Sequence, residues 1–189
     1  MKLKIEHLNC HFGKKRVLDN LSLQVNSGEI IHLVGANGSG KSTLLKVIIG
    51  AVPFSQGKVI LNPETYVGAL IENPQFFEYQ SARDNIEYLA KLRHHLDRAY
   101  FKQLFSDFDL DYNDRTRIKK YSLGMRQKVG IIQAFMEHQD LILLDEPTRG
   151  LDKASLKVFA NYIKQLAATQ KAIIIASHDQ LEEIPFTQT

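Results

Sequence analysis

Eight consecutive residues, Gly35-Ala36-Asn37-Gly38-Ser39-Gly40-Lys41-Ser42, fit the pattern G-x-x-x-x-G-K-[ST] without a mismatch. The chemistry of that spacing is anion capture. Small residues let successive backbone N–H groups turn inward around a phosphate, and a helix that follows aims its positive end at the same point. A lysine at Lys41 bridges outer phosphates as a point charge, and the Ser42 hydroxyl suits a magnesium ion. The ligand implied is a nucleoside triphosphate. Two further sets of reactive side chains stand at strand ends: Asp145-Glu146 after Leu141-Ile142-Leu143-Leu144, and His178 after Ile173-Ile174-Ile175-Ala176-Ser177. Adjacent carboxylates there are costly unless a cation or water engages them, and a lone histidine, usually structural, reads as functional at a strand's carboxyl end.

These groups need elements to hold them. The apolar run Ile30–Val34 reads as a buried strand feeding the glycine-rich loop, and 43–49 as the helix leaving it, stopped near Gly50. Residues 141–145 and 171–176 read as strands buried on both faces of a parallel sheet, whose carboxyl ends are where open α/β sheets place ligands. Between them, 153–168 is an amphipathic helix with Leu156, Phe159, Ala160, Ile163 and Leu166 in its stripe.

The start of the chain has a different character. Residues 3–12 alternate, Gly13-Lys14-Lys15-Arg16 makes a charged turn, and residues 17–25 alternate again, so an antiparallel, half-exposed sheet is expected. Lys58–Leu61 and Thr65–Ile71 add strand candidates. Phe12 either stacks on a flat base or covers the sheet, and the pattern alone does not separate the two. From Asn73 the composition shifts and a mostly helical insert is expected over 73–128. Ser81 and Asp84 form a capping box with aspartate in place of glutamate, and Ser122 is placed to cap the helix continued by Val129, Ile131, Ile132 and Phe135. The neighbouring His94 and His95 point in different directions on a helix and read as a solvated face, not a metal site.

Composition narrows the class. With 189 residues, 44% hydrophobic and 24% charged, the chain has the balance of one substantial globular core. A net charge of +3 is too mild to imply nucleic acid, and none is expected as a partner. The lone Cys10 forms no internal disulfide, which fits a reducing cytosol. No apolar run approaches bilayer-spanning length, so membrane work would need another chain.

Taken in order, residues 35–42, 121–127, 141–146 and 178 resemble the ATP-binding subunit of an ABC transporter, and the resemblance runs from about residue 3 to 184. It implies an α/β fold: a P-loop NTPase core with a mainly parallel sheet, an N-terminal antiparallel β subdomain and an inserted helical subdomain. The single domain 1–189 would divide into an antiparallel part (about 1–28 and 53–72), the core (about 29–52 and 129–189) and the helical part (about 73–128). By similarity, Gly35, Asn37, Gly38, Ser39, Gly40, Lys41, Ser42 and Thr43 form the Walker A loop around ATP, with Phe12 and Val17 on the adenine side. Leu141–Asp145 is the Walker B strand; Ser42, Glu72 and Asp145 are the groups expected to serve Mg²⁺. Glu146 matches the catalytic carboxylate and His178 the switch histidine, Lys41 is the third residue expected in catalysis, and Asp152 falls in the D-loop. Ser122 and Gly124 would touch the nucleotide of a second ATP-binding subunit.

Two positions depart from the family pattern. The signature Leu-Ser-Gly-Gly-Gln is Tyr121-Ser122-Leu123-Gly124-Met125 here, and the usual Q-loop glutamine is Glu72. Both variants are similar to bacitracin- and lantibiotic-type exporters. The resemblance implies an ATPase at the cytoplasmic face of the membrane, working through a separate integral membrane permease. The rival is a soluble, non-transport ABC ATPase; those usually carry two ATP-binding units or a long coiled coil, and neither is present in this sequence. A GTPase would show Asn-Lys-x-Asp, which is absent from it.

Overall fold

The structure is a computed structural model and describes residues 1–92, 97–178 and 181–188. His94 and His95 lie outside the described residues. Strands β1 (Leu3–Phe12) and β2 (Lys15–Val25) pair antiparallel around a turn confined to Gly13 and Lys14. Lys15 and Arg16, expected in that turn, belong to β2, because Gly13 at φ 58° reverses the chain within two residues. Alternation works as expected in β1: Leu3, Ile5, Leu8 and Cys10 are buried on one side. After the next strand, β3 (Ile30–Val34), and helix α1 (Lys41–Ile48), β4 (Gln56–Leu61) completes this sheet on the far side of β1, in the order β2-β1-β4.

A second sheet is wholly parallel. Strands β5 (Val67–Leu70), β6 (Leu141–Asp145) and β7 (Ala172–Ser177) join β3 in the order β3-β7-β6-β5. The apolar runs explain the burial. In β6, Leu141 and Leu143 face one cluster with α1, while Ile142 and Leu144 face another with the later helices. Only a strand covered on both sides can bury successive residues this way. β5 corrects one expected boundary: residues 67–70, taken with the antiparallel part at 53–72, pair with β6 instead. A four-residue run with period two shows that a strand forms but not which neighbour it takes.

The remaining helices are α2 (Ala82–Leu92), α3 (Arg98–Asp107), α4 (Leu123–Phe135) and α5 (Lys153–Ala168). The Ser81 hydroxyl donates to Asp84 at 2.7 Å and accepts the Asp84 N–H at 3.1 Å, so the aspartate version of the box forms. Helices fill less of 73–128 than expected: 73–81 and 109–117 are irregular, and only a 3₁₀ turn, Ile118–Lys120, precedes α4. No helix among the described residues is long and apolar enough to cross a membrane. The chain then returns to β3: His32 N–H donates to the Gln188 carbonyl, Thr187 N–H donates to the Ile30 carbonyl, and Ile31 bridges Gln188.

Candidate functional site

The loop between β3 and α1 is shaped by its glycines. Gly38 (φ 80°) and Gly40 (φ 101°) occupy the left-handed region, and a Cβ at Gly40 would stand 2.9 Å from the Val17 carbonyl. Gly40 caps α1 without a side-chain hydrogen bond, so the first N–H groups of the helix receive no side-chain acceptor at the cap. Lys41 Nζ donates to the carbonyls of Gly35 (2.6 Å) and Ala36 (3.3 Å), which fixes the ammonium over the loop. Uncapped amides, a helix positive end and a held ammonium together suit a polyphosphate.

This loop forms one wall of a cleft of about 550 Å³. Of the residues expected to hold nucleotide, Phe12, Val17, Asn37, Gly38, Ser39, Gly40, Lys41, Ser42 and Thr43 line it, together with Glu72, Asp145 and Glu146. Phe12 is 52% exposed beside the cleft, so the sheet does not bury it and its ring face is open to a base. Asp145 is buried at the end of β6, and its Oδ2 accepts the Glu72 N–H at 3.4 Å. Glu72 holds φ 58°, and its Oε1 pairs with Lys46 Nζ at 2.5 Å. Lys46 lies one turn after Ser42 on the same face of α1. Ser42, Asp145 and Glu72, the three residues expected to serve Mg²⁺, thus all line this one cleft. Among the described residues no cluster of three or more histidines, cysteines or acids forms a cage.

Glu146 sits one residue beyond β6, at φ 46°. His178, one residue beyond β7, brings Nδ1 to 2.9 Å from Glu146 Oε1. The parallel pairing Asp145–Ala176 produces this meeting, since both side chains leave adjacent strand ends. Beneath them His32 is buried; its Nε2 lies 2.8 Å from Ser177 Oγ and its ring stacks on Phe186 at 4.1 Å. Burial pushes the His32 imidazole below its ordinary range, and the charge of Glu146 pulls the other way.

The remaining expected residues lie apart from the cleft lining. Ser122 is exposed and caps α4 by accepting the Met125 N–H at 3.2 Å. A Cβ on Gly124 would stand 2.4 Å from the Gly150 carbonyl, so α4 starts hard against the loop after β6. Asp152 caps α5 by accepting from Ser155 at 2.8 Å; the backbone and side chain of Ser155 hold its carboxyl at about 2. Four residues line the cleft that residue type and spacing did not single out: Lys15, Asn73, Gln127 and Arg149. Gln127 closes the stretch 121–127 that carries the resemblance, two residues past the signature, but nothing in its type announces a role.

A family profile described as ABC transporter matches residues 18–149. The chain is 36% identical over 187 residues to the uncharacterised ABC transporter ATP-binding protein YdbJ of Bacillus subtilis, covering 93% of this chain and 61% of that protein. It is 30% identical over 183 residues to the lantibiotic transport ATP-binding protein SrtF of Streptococcus pyogenes, covering 93% of this chain and 80% of the relative. Among solved structures, an ATP-binding subunit of an ABC transporter superposes with a TM-score of 0.84 at 26% identity, over 94% of this chain and 80% of that one. The chain thus shares the overall fold of that subunit, and it belongs to the ABC transporter family.

Proposed function

We propose that this chain binds and hydrolyses ATP as the energy-supplying subunit of a transporter. Two such subunits pack head to tail around two MgATP. Each nucleotide meets Lys41 and Ser42 of one copy and Ser122 and Gly124 of the other. Nucleotide then acts as glue between two states, and hydrolysis dissolves it. The observation that carries the reading is that Lys41, Asp145 and Glu146 line one cleft, with His178 Nδ1 at 2.9 Å from Glu146 Oε1.

Roles follow from position. The loop amides and Lys41 bind and orient the triphosphate and offset charge on the transferred group. Magnesium, when bound by Ser42 and Asp145 with Glu72 in reach through water, supplies further charge neutralisation. Glu146 orients the attacking water and accepts its proton at the carboxylate. His178 steadies that carboxylate through Nδ1 and presents the other face of its ring toward the phosphate end. Phe12 stacks on the base and Val17 packs beside it.

A separate integral membrane permease completes the transporter, with this subunit at the cytoplasmic face. Its expected contact is the helical insert, hinged at Glu72. Phe77, Tyr79 and Tyr88 are exposed there, and Phe77 and Tyr88 meet edge to face at 5.0 Å, a compact aromatic patch available to a partner. Similarity to a lantibiotic transport protein, with the Glu72 and Ser-Leu-Gly-Met variants, supports export.

The decisive variant is Glu146→Gln. It is expected to keep ATP affinity, lose about 10²–10⁴-fold in turnover, and accumulate an ATP-bound dimer. ATPase rates and sedimentation with and without MgATP report all three. Near-normal turnover would remove Glu146 from the role of base.

A further inference from the structure

Glu146 is held in an unusual place for its type. Its φ of 46° lies in the left-handed region, a conformation that costs a side-chain-bearing residue about 1–3 kcal/mol and persists only where the surroundings over-determine it. Three main-chain contacts fix the segment. Glu146 N–H donates to the Ala176 carbonyl at 2.8 Å. Its own carbonyl accepts the Arg149 N–H at 3.2 Å, closing a turn with Pro147 at the second position. The third contact comes from another element: Gln127 Nε2 donates to the Glu146 carbonyl and to the Pro147 carbonyl, each at 3.1 Å.

Gln127 is only 4% exposed and stands at the fifth position of α4. Two carbonyl acceptors in front of it fix which end of the carboxamide is nitrogen, since the oxygen has nothing to donate. The helix that carries it is itself pinned to the same loop. Gly124 abuts the Gly150 carbonyl, and Lys128 Nζ lies 3.4 Å from Asp152 Oδ2.

We propose that Gln127 is a positioning residue for Glu146: its carboxamide clamps two consecutive carbonyls and so sets the direction in which the catalytic carboxylate points. The proposal rests on the reading of Glu146 as the base. It assigns Gln127 no contact with ATP. An ångström of misplacement at a reacting group can cost about 10²-fold in rate, so a clamp of this kind is visible in turnover.

The test uses Gln127→Met, which keeps length and bulk without donors, and Gln127→Glu, which is isosteric and presents only acceptors to the two carbonyls when ionised. In both, the turnover number should fall about 10–100-fold while fluorescent-nucleotide affinity stays within about twofold. Single-turnover hydrolysis in a Glu146→Gln background then closes the cycle. There Gln127→Met should add almost nothing, because the carboxylate being aimed is gone. Undiminished turnover in a variant that binds nucleotide normally overturns the proposal. So do losses that multiply in the double variant, which would mean an action independent of Glu146. If Glu146→Gln alone is near normal, the assignment of the base fails first, and that result is distinct from either. Should Gln127→Met not fold, Gln127→Glu carries the same comparison.

Discussion

At the scale of single residues, the site depends on a few close approaches that tolerate no added atom. Gly124 is the sharpest. It is the glycine kept in the departed signature Tyr-Ser-Leu-Gly-Met, and the Gly150 carbonyl occupies the space of any β-carbon it could carry. Gly124→Ala must therefore push the start of α4 away from the loop that follows Glu146. The expected cost is about 1–3 kcal/mol of stability, seen as a lowered thermal midpoint, together with reduced ATPase activity. An unchanged midpoint would show that the two backbones part without strain. The same residue shows what a sequence can and cannot reveal. The glycine, lysine and serine of the phosphate loop are recognisable because their types are the chemistry: amides, an ammonium, a hydroxyl. Gln127 carries no such mark. A glutamine is ordinary in a helix, and only the carbonyls brought before it by β6 give it a purpose.

At the scale of elements, the helical insert is held by a charge and not by a large core alone. Glu87 in α2 is nearly enclosed, with a side chain 7% exposed. It accepts from Arg83 at 3.0 Å, Arg98 at 3.2 Å and the Tyr112 hydroxyl at 2.6 Å, so one carboxylate joins α2, α3 and the loop beyond. Burial pushes this carboxyl up, but the hydrogen bonds from Arg98, Tyr112 and Arg83 outweigh it and hold it at about 2, against an ordinary 4.5. A carboxyl depressed in the folded state contributes stability above its unfolded value and loses it as pH falls toward the folded one. The insert is therefore expected to loosen between about pH 4.5 and 2. Glu87→Gln should cost about 1–3 kcal/mol at neutral pH and flatten that acid dependence; an unaltered acid limb in thermal unfolding would refute the node. None of this is visible in the spacing of Glu87. The buried strands β6 and β7 were legible because runs of Leu and Ile have no other stable home. The partner of β5 was not, since four residues carry no record of which edge they join. Irregular stretches on either side of α2 and α3 likewise escaped, because their backbone is held by long-range contacts such as Arg126 with Glu78 at 2.7 Å.

At the scale of the whole molecule, the parallel sheet has one edge at β3, the strand that launches the phosphate loop. An unpaired edge invites foreign strands, and here the segment 184–188 runs beside it. Thr187 exchanges hydrogen bonds with both the N–H and the carbonyl of Ile30, His32 N–H reaches Gln188, and Phe186 covers the His32 ring. Truncation after Glu183 removes all of these. At about 0.5–1.5 kcal/mol per hydrogen bond, the thermal midpoint should drop by several degrees, and size-exclusion chromatography should show self-association. Retention of both properties would mean that the edge protects itself. A broader consequence concerns vulnerability. The ribbon that shields β3 contributes no residue to the cleft lining, yet it braces the plank from which the glycine loop springs. A protease nicking the backbone near Pro185 would thus disarm the nucleotide grip from behind, with every catalytic side chain left intact.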